Sequence, residues 1–161
     1  MSTNNLFVYA AVYDDEADAF SDLEKFYELA LVGAVGKYDT AVITKGEDGK
    51  VHVEKHGTGT KSGAWKGAIA GGIVGLLFPP TILVGSLVGG ATGGLAGKLW
   101  GGMSRANLKE LGEALDEQET GLIIVGESTV DALIEKTLKK AKKRIRKELK
   151  ATLKDIEKEI Q

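Results

Sequence analysis

Cysteine is absent from this sequence, proline occurs twice, and aromatic residues make up only 6%. Without cysteine the chain can form no disulfide and no thiolate metal site, which leaves the redox compartment open. The beginning, MSTNNLFVYAAVYDDEADAF, lacks a basic n-region and runs into acids by Asp14, so no secretory signal is expected and the starting point is cytoplasmic. At 161 residues the chain can build one ordinary core but not two full domains. With 43% hydrophobic residues it is not globally disordered.

A net charge of −2 hides an asymmetry. Residues 1–128 carry 10 cations against 17 acids, whereas residues 129–161 carry 11 against 6. An acidic body with a basic tail suggests that the tail meets something anionic, or the body of a neighbouring copy.

Strand and helix signals are clear over much of the chain. Residues 6–13, LFVYAAVY, are apolar on both faces and read as a central strand. Asp14, Asp15, Glu16 and Asp18 then open a helix over Glu16–Val32; the acids suit its positive end, and Asp14 or Asp15 can cap it. Phe20, Leu23, Phe26, Tyr27, Leu29 and Ala30 form the stripe expected to face the sheet. Tyr38–Lys45 and residues 50–56 read as a hairpin closed by a tight primed turn at Asp48-Gly49. Ser104 can cap a helix carrying Leu108, Leu111 and Leu115, and residues 121–127 form a last buried strand. The order β-α-β-β-α-β predicts an α+β, ferredoxin-like domain over residues 1–62 and 103–128, its two helices on one face of a four-stranded sheet. Residues 63–102 are an insertion whose ends return to one place, and residues 129–161 form one long amphipathic helix.

The insertion contains 13 glycines, most of them at a spacing of four. Gly63, Gly67, Gly71 and Gly75 make one series; Gly85, Gly89, Gly93, Gly97 and Gly101 make a second. Pro79 and Pro80 break any helix between them. Period four places the glycines on one ridge of a helix, where another helix can approach closely, so two such series predict a glycine-zipper helical hairpin. In water each glycine costs roughly 1 kcal/mol against alanine, on the order of 10 kcal/mol for the block. That is comparable to the stability of a whole domain. The segment therefore calls for an apolar surrounding, either a bilayer or a shared helical core. Trp65 and Lys66 at one end, with Lys98 and Trp100 at the other, suit a membrane interface. Length argues against a simple crossing: residues 67–78 and 81–97 would rise only ~18 and ~25 Å, against about 30 Å of hydrocarbon.

Residues 136–150 hold nine cations and one acid, among them Lys139, Lys140, Lys142, Lys143, Arg144, Arg146, Lys147 and Lys150. Leu138, Ala141, Ile145, Leu149, Leu153, Ile156 and Ile160 recur at helical spacing beside them. The pattern predicts a basic helix on anionic lipid; the alternative is a stripe packed on a neighbour with solvated lysines. Nucleic acid is a weaker partner, since no aromatic residue interleaves with the charges.

Signals for chemistry are sparse. His52 and His56 would lie about 13 Å apart along one strand and cannot share an ion. Lys61-Ser62 lacks both glycines of a phosphate loop, with Lys55 and Thr60 in their places. No serine or histidine has an evident catalytic partner. The sequence predicts no enzyme, no cofactor, no metal and no small-molecule substrate.

Four stretches resemble the prokaryotic family catalogued as domain of unknown function 1269. They are YDDEADAF, YDTAVITKGEDGKVHV, GAWKGAIAGGIVGLLFPP and LKELGEALDEQETGLIIVGE. The resemblance covers about residues 6–127 and leaves the basic tail outside. It implies a small α/β domain plus a glycine-zipper hairpin, a membrane protein of unassigned biochemistry, and no catalytic residue that could be carried over. The expectation is a non-enzymatic, self-associating protein on the cytoplasmic face of a membrane containing anionic lipid. The alternative is a soluble homo-oligomeric scaffold in the cytoplasm.

Overall fold

A strand apolar on both faces needs a neighbour on each side and a layer above and below. In the computed structural model that strand, β1 (Asn5–Tyr13), lies between β5 (Thr120–Glu127) and β6 (Lys143–Thr152) and is antiparallel to both. Residues 5–32, 37–55, 68–78, 80–85, 101–117, 120–152 and 154–155 are described. The remaining strands are β2 (Tyr38–Lys45), β3 (Val51–Lys55) and the three-residue β4 (Leu83–Gly85). The helices are α1 (Glu16–Val32), α2 (Ala68–Leu77), α3 (Arg105–Glu117) and α4 (Asp131–Thr137).

The sheet runs β4-β3-β2-β5-β1-β6. Five strands are antiparallel to their neighbours, and β4 joins β3 in parallel at one edge. This overturns the ferredoxin-like expectation. In that arrangement the third strand would sit between the first two; here β5 takes that slot and β3 lies outside β2.

The helices also divide between the two faces. Tyr9, Ala11 and Tyr13 of β1 share a core with Ala19, Leu23 and Phe26 of α1 and with Leu133 and Ile134 of α4. The alternate residues Leu6, Val8, Ala10 and Val12 pack with Ile69, Ile73 and Val74 of α2 and with Leu108, Leu111 and Leu115 of α3. Alternation along β1 thus builds two cores, as strand geometry requires.

The bounds of α1 match expectation, and Asp15 caps it: its Oδ1 accepts the Asp18 N–H at 2.9 Å. The buried stripe is rotated from the expected one. Ala19, Asp22, Leu23, Phe26 and Ala30 are buried, while Leu29 is 41% exposed. The Ser104 cap is present too, its Oγ accepting the Asn107 N–H at 3.1 Å. The hairpin forms, but with a longer turn: Gly46 accepts from Gly49 at 3.0 Å and donates to Lys50 at 2.8 Å. Gly49 takes the left-handed region, at φ 78°.

One further expectation fails outright. Residues 129–161 are not one long helix: α4 is seven residues, a turn follows, and β6 forms the edge of the sheet beyond β1. Ile145 and Leu149 are four apart, and four is close to one helical turn but also an even strand interval. The spacing fits both periods. The strand's own signal is burial of Ile145, Leu149 and Ala151 between exposed Arg144, Arg146, Glu148 and Lys150. A lysine-rich composition also suits an edge strand, where charge discourages pairing with other chains.

Of the expected paired helical hairpin, residues 63–67 and 86–100 lie outside the described residues. Its first arm includes α2, yet after Phe78 the chain makes a 3-10 turn (Pro80–Ile82) and continues as β4. Gly85 therefore sits in a strand, not on a helical ridge.

Candidate functional site

The two faces are fastened by different means. On the α2 side, buried Asp39 of β2 reaches the start of α2, and its Oδ2 accepts the N–H groups of Ile69 at 2.9 Å and Ala70 at 3.0 Å. These are two of the free donors that every helix presents at its beginning, satisfied here from a strand 30 residues earlier. Around them the lining is aliphatic.

On the α1 and α4 side, tyrosines alternate along β1 and each finds a polar partner. Tyr13 donates to Asp22 Oδ2 at 3.0 Å; the same oxygen accepts the Lys140 backbone N–H at 2.9 Å. Asp22 is fully buried, and its Oδ1 has no partner among the described residues. Tyr27 and Thr40 share a hydrogen bond of 2.5 Å. Tyr9 donates to Asp131 Oδ1, which also accepts Arg146 Nε at 3.0 Å. The Arg146 guanidinium lies 3.7 Å from the centre of the Phe7 ring. Burial is the main reason that the Tyr9, Tyr13 and Tyr27 hydroxyls titrate above their ordinary range; Asp131 and Asp22 reinforce it for the first two.

Between α4 and β6, beside this network, is a groove of about 410 Å³. Its walls include Ala11, Ile134 and Leu138, and charged Asp131, Glu135 and Arg144 stand along it. Along β6, Arg146 lies across from Tyr9 and Arg144 across from Ala11, and both residues of β1 are buried.

Four of the eight cations marked in the basic stretch pair with the protein's own acids. Lys140 lies 3.8 Å from Asp18, Lys142 2.7 Å from Asp14, Arg146 3.0 Å from Asp131, and Lys147 2.9 Å from Glu110. The acids after β1 that read as helix caps thus also hold the turn that leads into β6. Lys139, Lys143 and Lys150 are exposed and take part in no ion pair among the described residues. The eight cations do not form one uninterrupted basic surface: alternation turns Lys147 toward α3 while Arg146 meets α4.

Among the glycines, Gly71 is buried in α2, Gly75 is exposed, and neither Gly75 nor Gly101 has an atom within 4 Å of where a side chain would begin. Gly63, Gly67, Gly89, Gly93 and Gly97, with Trp65, Lys66, Lys98 and Trp100, lie outside the described residues. No described helix is long and apolar enough to cross a membrane. Among the described residues no group of three metal-ligating side chains converges.

The fold therefore defines a three-layer α+β protein with a charged groove at one edge of its sheet. A family model described as "Protein of unknown function (DUF1269)" matches residues 64–160, more than half of the sequence, and the chain belongs to that family. The match includes the basic stretch, which the resemblance seen in the sequence had placed outside, and it excludes β1 to β3. No curated protein and no solved structure matches the chain.

Proposed function

We propose that this protein performs no chemistry of its own and works by self-association, with the glycine-rich segment as the contact. The observation that carries the reading is Gly75. It is exposed near the end of α2, beside partly buried Leu76 and Leu77, and the space over it is open. An exposed helical glycine costs roughly 1 kcal/mol against alanine. A second copy backing onto that position would use the space that a side chain would block. Residues 86–100, SLVGGATGGLAGKLW, extend the same composition beyond β4.

Sedimentation velocity in detergent-free buffer tests the proposal. A concentration-dependent mass above that of one chain is expected, and Gly75→Leu should reduce it while the circular dichroism spectrum is retained. A single-chain mass at every concentration, for the parent protein and the variant alike, would overturn it.

Attachment to an anionic membrane is a second reading, supported by the Trp-Lys flanks of the glycine block and by exposed Lys139, Lys143 and Lys150. It is weakened by the ion pairs that occupy Lys140, Lys142, Arg146 and Lys147. Co-sedimentation with vesicles of phosphatidylserine and phosphatidylcholine, compared with phosphatidylcholine alone, separates the two. Binding that needs the anionic lipid and fades with salt favours the membrane. No binding to either leaves self-association in water.

A further inference from the structure

We infer that residues 156–161 act as a strap: they continue a helix that starts after β6 and lay its apolar stripe on the exposed end of α1. The inference is independent of self-association. It rests on two features at one end of the sheet, each of which lacks what the other presents.

The first feature is the last turn of α1. Leu29, Leu31 and Val32 are the large apolar side chains left exposed among the described residues, Leu31 and Val32 at 84% and 83%. One exposed apolar side chain is ordinary, but three on a single turn make a patch. The patch also has a direction. Asp18 and Asp22 face the turn that leads into β6, where both meet Lys140. Leu29 follows Asp22 by seven residues, two helical turns, and so stands on that same side. Val32 adjoins Leu29 at i+3. Lys25 adjoins it at i−4, an exposed cation with no ion pair among the described residues.

The second feature is the end of β6. Thr152 Oγ1 accepts the Asp155 N–H at 3.2 Å, and Asp155 Oδ2 accepts the Thr152 N–H at 3.3 Å. Such a reciprocal pair marks a helix start, and Lys154 and Asp155 are helical. Residues 156–161, IEKEIQ, lie outside the described ones. Continuing the helix through them would align Leu153, Ile156 and Ile160 at i, i+3 and i+7, with Glu157 at the border of the stripe. So short a helix is marginal in isolation. It needs a surface to hold it.

The patch is the surface within reach. Asp22 meets Tyr13 at the end of β1, and Phe26 meets Tyr38, ring centres 5.0 Å apart, in the row of Gly126 and Phe7. Helix α1 therefore runs back along β1, and Leu29 and Val32, ~4.5 and ~9 Å beyond Phe26, approach the row of Asn5. Asn5 pairs with Thr152. A helix over residues 153–161 is ~13.5 Å long and the helix layer is about 10 Å thick, so the strap reaches the flank of α1 that carries Leu29. Ile156 and Ile160 then cover Leu29 and Val32, removing from water apolar area that each side alone leaves there. Glu157 comes to the side of Lys25, opposite in charge.

The chain has no cysteine, so an introduced pair can be oxidised without competition. Leu29→Cys is combined with Ile156→Cys in one full-length variant and with Ile160→Cys in another, and both are oxidised in dilute solution. A disulfide within one chain is expected in at least one variant, since side chains packed face to face meet the distance that the bond requires. In the cysteine-free chain, Ile156→Asp together with Ile160→Asp should speed amide exchange at residues 29–32 by about tenfold or more. Exchange at residues 19–23 should keep the parent's rate, showing that α1 itself is intact. Three results would overturn the assignment: no disulfide in either variant, disulfides only between two chains, or exchange at residues 29–32 unchanged by the double substitution.

Discussion

The two faces of the sheet use opposite chemistry on either side of one strand. Even-numbered residues of β1 meet an aliphatic core beneath α2 and α3, with buried Asp39 as a polar anchor at the start of α2. Odd-numbered residues meet α1 and α4 through tyrosines whose hydroxyls each reach a carboxylate, Tyr9 to Asp131 and Tyr13 to Asp22. The aliphatic face gains stability from area and is indifferent to the exact partner. The tyrosine face is directional, so it fixes where α4 and the turn into β6 must lie. The groove between α4 and β6 lies on the tyrosine face, beside the polar contacts of Tyr9, Asp131 and Arg146.

Several substitutions would break or sharpen this comparison. Asp39→Ala should have the largest effect, because two buried N–H groups lose their acceptor together. A loss of about 3 kcal/mol in urea denaturation is expected, with weaker amide protection across α2. A loss below about 0.5 kcal/mol would mean that the aliphatic face needs no polar anchor. Tyr13→Phe should cost about 2 kcal/mol, since Asp22 stays buried with one donor fewer. Replacing Tyr9 by Phe should cost less, because Arg146 still pairs with Asp131.

Alkaline pH should act on the tyrosine face selectively. Tyr9, Tyr13 and Tyr27 have folded-state pKa values above the unfolded value of about 10, owing first to burial. Their contribution is fully present below pH 10 and is lost as pH rises toward the folded values. Stability measured between about pH 9 and 12 should therefore fall, and fall less steeply in Tyr13→Phe. The smallest effect is expected from Lys142→Gln. Its ion pair with Asp14 is half-exposed on both sides, so a change below about 0.5 kcal/mol should be seen, shrinking with salt.

Local signals in the sequence were legible where one period or one cap dominated. The double-faced run at residues 6–13, the acids before α1, the Ser104 cap and the Asp48-Gly49 turn all led to elements that form. The basic stretch was not legible, because Ile145 and Leu149 satisfy both helical and strand spacing. Charge asymmetry was seen, but its resolution within one chain depends on β6 returning beside α1, α3 and α4, and topology is not written in composition. The groove was missed for the same reason, since Ala11 and Arg144 are brought together by strand registry alone. Asp22 left a fainter trace, as an acid on the buried stripe of α1.

Amide hydrogen exchange of residues 75–78, followed over a concentration series, tests self-association at α2 most directly. The account predicts that exchange at Gly75, Leu76, Leu77 and Phe78 slows as concentration rises, while the turn at Glu47 and Asp48 does not change. Rates at these positions that stay constant from nanomolar to high micromolar protein would contradict it.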